Sequence, residues 1–176
     1  LQFERLRWRR KNDMDVAAME ILNNPPPIGQ ISNPKDWWKE RHIIIRRLLE
    51  RHMNESAYIL AARHGTLEGL EYAEAEWLAG WLALRFMHKP TKAYEHFQAM
   101  YKSVETPVSK ARGAYWAGRA ASALGDKALA LKWYKDAAQY QTVFYGQLAG
   151  KALGVDYALP HAAPPNLGSA DLQAFK

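Results

Sequence analysis

The sequence predicts an all-α chain of stacked helix pairs, an α-solenoid or horseshoe, and three observations carry that expectation. First, the stretch Ala111 to Ala138 carries small and aromatic residues at fixed intervals. Counting Ala111 as the first position, Gly118 falls at 8, Gly125 at 15, Ala130 at 20, Tyr134 at 24 and Ala137 at 27, the pattern of a tetratricopeptide-type helix pair. Second, a looser copy precedes it. Gly80 lies 38 residues before Gly118, and Ala93, Phe97 and Met100 lie 37 before Ala130, Tyr134 and Ala137. The one-residue difference falls in the turn Met87-His-Lys-Pro90, where an insertion costs little. Third, no segment alternates apolar and polar residues as a strand would. A helix pair cannot bury its apolar face alone, so it has to stack on neighbours. Gly80 and Gly118 are expected where paired helices approach closely, answered by Ala93 and Ala130, with Phe97 and Tyr134 filling the space between pairs.

Each element has its own reasons. A short basic helix is expected from Phe3 to Lys11 and a second from Asp13 to Leu22, ended by Asn23-Asn-Pro-Pro-Pro-Ile-Gly29. Asn33 is placed to cap the next helix, with Pro34 at its first position. That helix carries Trp37, Trp38, Ile44, Ile45, Leu48 and Leu49. Asn54 begins a shorter helix ended near Gly65, and Thr66 can cap the one that follows. Thr106-Pro107 is a second cap-plus-proline start, and Gly125 suits a left-handed C-terminal cap. A further helix holds Phe144 to Ala149. Three stretches are expected: a superhelical region over 1–153, a proline-rich linker over 154–168, and the start of a truncated helix over 169–176.

Composition bounds what the chain does. Hydrophobic residues make up 48% of 176 positions, enough for a packed core. The net charge is +6. Much of it is local, with Arg5, Arg7, Arg9, Arg10 and Lys11 opposed by Glu4, and a second run at Arg41, Arg46, Arg47 and Arg51. Glu68, Glu71, Glu74 and Glu76 form an opposing acidic stretch. Such charge attracts nucleic acid, phospholipid or an acidic polymer. A solvated helical face accounts for each cluster equally well. There is no Cys, so the chain offers neither a disulfide nor a thiol nucleophile. No run of about 18 apolar residues is present to span a membrane. The chain begins at Leu1, which suggests a processed product or a fragment.

Catalytic patterns are sparse. The six His residues show no metal-ligand spacing, so no metal and no cofactor is expected. Neither GxxxxGK[ST], GxGxxG nor GxSxG occurs. Glu55-Ser56 stands in Asn-Glu-Ser-Ala-Tyr, where the dipole of a helix start accounts for a carboxylate. Trp37 and Trp38 adjoin Arg41, a grouping able to stack on sugars or bases. Neighbours on a helix point about 100° apart, so one indole is expected in the core and the other at a rim.

Several blocks, in order, resemble one family. They are Trp37-Trp-Lys-Glu-Arg41 with Arg47-Leu-Leu49, Ala57 to Gly65, Glu74-Ala-Glu-Trp-Leu-Ala-Gly-Trp-Leu-Ala-Leu-Arg-Phe86, Ala93 with His96-Phe97, Tyr115-Trp-Ala-Gly-Arg-Ala120 and Phe144-Tyr-Gly-Gln-Leu-Ala149. Together, over roughly Arg5 to Leu153, they resemble the non-catalytic superhelical region of soluble lytic murein transglycosylases. The resemblance implies an exported, periplasmic parent whose separate lysozyme-like domain cleaves the MurNAc–GlcNAc bond with formation of 1,6-anhydromuramic acid. In that family a Glu-Ser pair is catalytic and Gly-Leu-Met-Gln follows it. No Gly-Leu-Met-Gln follows Glu55-Ser56, so no catalytic residue carries over. The implied role is a scaffold that positions peptidoglycan strands or stem peptides, or holds the C-terminal catalytic domain. The residues expected to touch a ligand are Trp37, Arg41, Arg47, Arg112, Arg119, Tyr145 and Gln147. Two rivals stand beside this reading. One is a protein-interaction adaptor that captures an acidic peptide. The other is nucleic-acid binding by the basic N-terminal helix.

Overall fold

The computed structural model describes residues 1–155, so most of the expected linker and all of the expected final helix lie outside the described residues. Among the described residues there is no strand. The elements are α1 (Gln2–Lys11), α2 (Asp15–Asn23), a 3-10 turn (Ile28–Gln30), α3 (Pro34–Glu50), α4 (Asn54–Ala62), α5 (Gly69–Arg85), α6 (Pro90–Ser103), α7 (Pro107–Ala123), α8 (Lys127–Ala138) and α9 (Phe144–Ala152).

Local chemistry sets most of the boundaries. Asp13 takes a left-handed conformation and separates α1 from α2. Pro34, Pro90 and Pro107 occupy first-turn positions, where the missing N–H costs nothing. The Thr106 hydroxyl accepts from the Ser109 N–H, and the Asp126 carboxylate accepts from the Leu129 N–H, capping α7 and α8. Gly125 has φ +81 just past the end of α7, as a left-handed cap requires. Two expected caps differ. The Asn33 side chain donates to Asp36 instead of accepting from the helix. Thr66 is buried and bonds to the His64 ring, while α5 starts three residues later after Glu68. The imidazole outcompetes the helix end for that hydroxyl.

From α5 onward each helix packs on the next, and α7 also packs on α5 and on α9. The glycines of the repeat are contact points. A methyl added at Gly80 would stand 2.7 Å from the Phe97 ring, and one at Gly118 would stand 2.7 Å from the Tyr134 ring. Each aromatic therefore lies directly on the glycine of its own pair. Phe97 in addition stacks on Trp116 of the following pair, with ring centroids 5.7 Å apart.

The buried residues form two cores. One gathers Leu6, Leu22, Trp37, Trp38, Ile44, Ile45, Leu60 and Leu82. The other gathers Ala83, Phe97, Tyr115, Trp133, Tyr134 and Ala149. Tyr58, Trp77 and Trp81 pack against both. Trp37 and Trp38 are both buried, against the expectation of one at a rim. The reason is that α3 is covered on two sides. Trp37 meets Phe3 of α1, while Trp38 meets His64 and donates to Glu74 of α5.

Candidate binding face

The charged clusters of the sequence part company in three dimensions. Most of the N-terminal arginines serve the fold. Arg10 makes a bidentate pair with buried Glu40, at 2.7 and 2.8 Å, and Arg7 reaches the same carboxylate at 3.8 Å. Arg9 pairs with Glu20 at 3.3 Å. Arg47 and Arg51 converge on buried Asp15, at 2.7 and 3.0 Å, and Arg47 also meets Asp13.

Arg41 is 2% exposed, which corrects its assignment to a ligand surface. Its Nη1 donates to the Leu60 carbonyl at 3.1 Å and its Nη2 to the Leu22 carbonyl at 2.8 Å, tying α3 to α2 and α4. Burial lowers its pKa to about 10, and it remains charged at neutral pH. Trp37 is likewise a core residue and Arg47 an ion-pair partner, so the Trp37/Arg41/Arg47 grouping is structural.

The second expected region is assembled differently. On α7, Arg112, Trp116 and Arg119 recur at intervals of four and three and share one side of the helix. On α5, Glu74, Trp77 and Trp81 recur at intervals of three and four. These sides meet. The Arg112 guanidinium lies 3.7 Å above the Trp77 ring. Trp77 stacks on Trp81 at 6.1 Å and meets Trp116 edge-on at 6.1 Å. Arg119 donates to the Tyr115 hydroxyl at 3.1 Å and lies 5.7 Å from the Trp116 ring. Tyr145 of α9 packs on Tyr115 at 5.5 Å, and its phenol is near enough to Arg112 to act on its charge. Burial holds the Arg112 pKa below its ordinary value, against the opposing influence of Tyr145 and Glu74.

Of the expected ligand residues, this face unites Arg112, Arg119 and Tyr145. It does not include Gln147, which is exposed and about 200° around α9 from Tyr145. It adds Trp77, Trp81, Tyr115 and Trp116, which the helical spacing of aromatics beside arginines could have revealed. An aromatic platform edged by guanidinium groups suits flat apolar rings and anionic groups.

A second cluster escaped the sequence altogether. The carboxylate of Glu76 on α5 accepts from His64 Nε2 at 3.1 Å and from His96 Nδ1 of α6 at 2.6 Å. The Thr66 main-chain N–H donates to His64 Nδ1, which leaves Nε2 to carry the hydrogen that reaches Glu76. Burial alone would raise the Glu76 pKa, but the hydrogen bonds from the two imidazoles and the electrostatic pull of their rings outweigh it and bring it to about 2. The cluster cross-links α5, α6 and the loop that follows α4. His64 and His96 lie 32 residues apart, and no spacing rule links them. Among the described residues, no group of three or more His, Cys, Asp or Glu side chains is arranged to hold a metal ion. Glu55 is exposed in the first turn of α4.

Compared with known proteins, the chain matches no family model, no curated protein and no solved structure. Among the described residues, no helix is long and apolar enough to cross a membrane.

Proposed function

We propose that the chain is a non-catalytic helical scaffold of a periplasmic peptidoglycan lytic transglycosylase, and that its α5/α7/α9 face lies against murein. The observation that carries this reading is the cluster Trp81, Trp77, Trp116, Arg112 and Arg119, in which three half-buried indoles in mutual contact are flanked by two guanidinium groups along two packed helices. Glycan strands present apolar sugar faces for stacking, and stem peptides and lactyl groups present carboxylates. Arg112 and Arg119 are seven residues apart, about 10 Å along the helix axis, which suits an extended polymer better than a compact ligand. The helix-pair arrangement supports a tetratricopeptide-like superhelix as the frame that presents this face.

The test is co-sedimentation with purified sacculi at low and high salt. Binding is expected for the intact chain, to weaken with salt, and to fall with Arg112→Gln/Arg119→Gln. Arg5→Gln/Lys11→Gln, which removes the same two charges at exposed positions of α1, serves as the control for net charge. Absence from the pellet at low salt overturns the reading. The adaptor reading draws on the same two arginines. It gains first place if an acidic peptide binds saturably while sacculi do not.

A further inference from the structure

We infer that Arg112, framed by Tyr145 and the Trp77 ring, is a receptor for a single carboxylate. Its setting, which Arg119 shares in having an aromatic ring and a tyrosine hydroxyl for neighbours, differs from that of the arginines that hold the fold together. Arg7, Arg9, Arg10, Arg47 and Arg51 each meet an Asp or Glu oxygen within salt-bridge distance, and Arg41 meets two main-chain carbonyls. Arg112 is mostly buried, yet among the described residues no carboxylate lies within salt-bridge distance of it. Glu74 acts on it only at longer range, and the Glu74 carboxylate accepts from Trp38 Nε1 at 3.1 Å. Among the described residues, Arg112 lies over the Trp77 face and feels the Tyr145 phenol.

Around it donors outnumber acceptors. Arg112 Nε, Trp77 Nε1 and Trp116 Nε1 are all buried and have no hydrogen-bond partner among the described residues. A buried donor left unpaired costs about 1–3 kcal/mol, so three in one neighbourhood mark a place built to receive acceptor oxygens. The Trp77 ring covers one side of the guanidinium at 3.7 Å, and a guanidinium forms its bidentate bonds to carboxylates through its edge rather than its face. Partial desolvation strengthens such a pair relative to one in open water. Seating the carboxylate requires a small opening between Arg112 and Tyr145, since the orphan nitrogens are closed to solvent when the site is empty.

The inference rests on the proposed function for the choice of face and for murein as the source of the carboxylate. The carboxylate has two sources in murein, a lactyl group or a peptide C-terminus, and the test separates them. The intact chain, labelled at tryptophan Nε1, is titrated with N-acetylmuramic acid and its methyl ester, and with acetyl-alanyl-alanine and its amide. Saturable shifts of the Trp77 and Trp116 indole resonances are expected with at least one acid and not with its neutral counterpart. Arg112→Gln is expected to weaken that binding at least tenfold, and Arg112→Lys to restore part of it. The acid that responds names the source. Equal response to acid and neutral form overturns the inference while leaving a sugar-stacking face intact. Sacculi that sediment equally well with wild type and Arg112→Gln, with neither acid perturbing the indoles, overturn it and spare the proposed function. No sedimentation and no titration response removes both.

Discussion

Protonating Glu76 should unfasten the middle of the molecule, and the size of the effect follows from its surroundings. The side chain is 11% exposed and takes hydrogen bonds from two imidazoles on different segments. Those bonds bring its pKa from 4.5 to about 2 against the opposing effect of burial. Each unit corresponds to about 1.4 kcal/mol, so the ionised carboxylate contributes about 3 kcal/mol to the folded state. A carboxyl held below its unfolded value stabilises fully above about pH 4.5, and that contribution disappears as pH falls towards about 2. Roughly 2 kcal/mol of it is gone by pH 3. The assay is urea denaturation at pH 7 and pH 3 for wild type and Glu76→Gln. The Gln variant keeps the shape but cannot ionise, and its amide turns donors towards one donor imidazole. It should be less stable than wild type at pH 7 by about 1–3 kcal/mol. The gap should narrow by roughly 2 kcal/mol at pH 3. Parallel losses in the two proteins between pH 7 and pH 3 would refute the argument, because the acid sensitivity would then belong to other carboxylates.

Arg41→Met should destabilise the chain by about 2–4 kcal/mol in urea melts, since two buried carbonyls lose a charged donor, while folded protein binds sacculi unchanged. Gly118→Ala should cost about 1–3 kcal/mol by the same measurement, because its methyl would stand 2.7 Å from the Tyr134 ring. Pairing it with Tyr134→Leu should recover part of that loss relative to the sum of the two single changes. Phe144→Ser should shift the melting midpoint little, within about 0.5 kcal/mol, since that ring is 66% exposed.

The helices were legible wherever a local rule applied. Pro107 behind Thr106, Gly125 after Leu124 and the apolar spacing of α3 each read correctly because helix starts, stops and faces are short-range matters. Thr66 misled because its competitor, His64, is a neighbour whose ring points back at it only once α5 is in place. Arg41 misled for a related reason. A guanidinium within a basic run looks solvated, and nothing nearby in sequence announces the carbonyls of Leu22 and Leu60 that enclose it. Arg112 and Arg119 were singled out because the repeat pattern expected both on the first helix of one pair, and Tyr145 because its block resembles the family; the structure brings all three to one face. Their aromatic setting was written in the same spacings, but Trp77 and Trp116 satisfy a core reading equally well until the two helices are laid together. The Glu76 cross-link was out of reach, because it joins three segments through tertiary geometry alone.

Leu82 and Ala83 are adjacent in α5, yet they enter different cores, and Trp77 and Trp81 lean on both. The helix thus acts as a beam shared by two rooms. Cutting the chain on either side of it does not yield two sound halves. Whichever fragment keeps α5 inherits an uncovered apolar wall, and the other loses one it was built against.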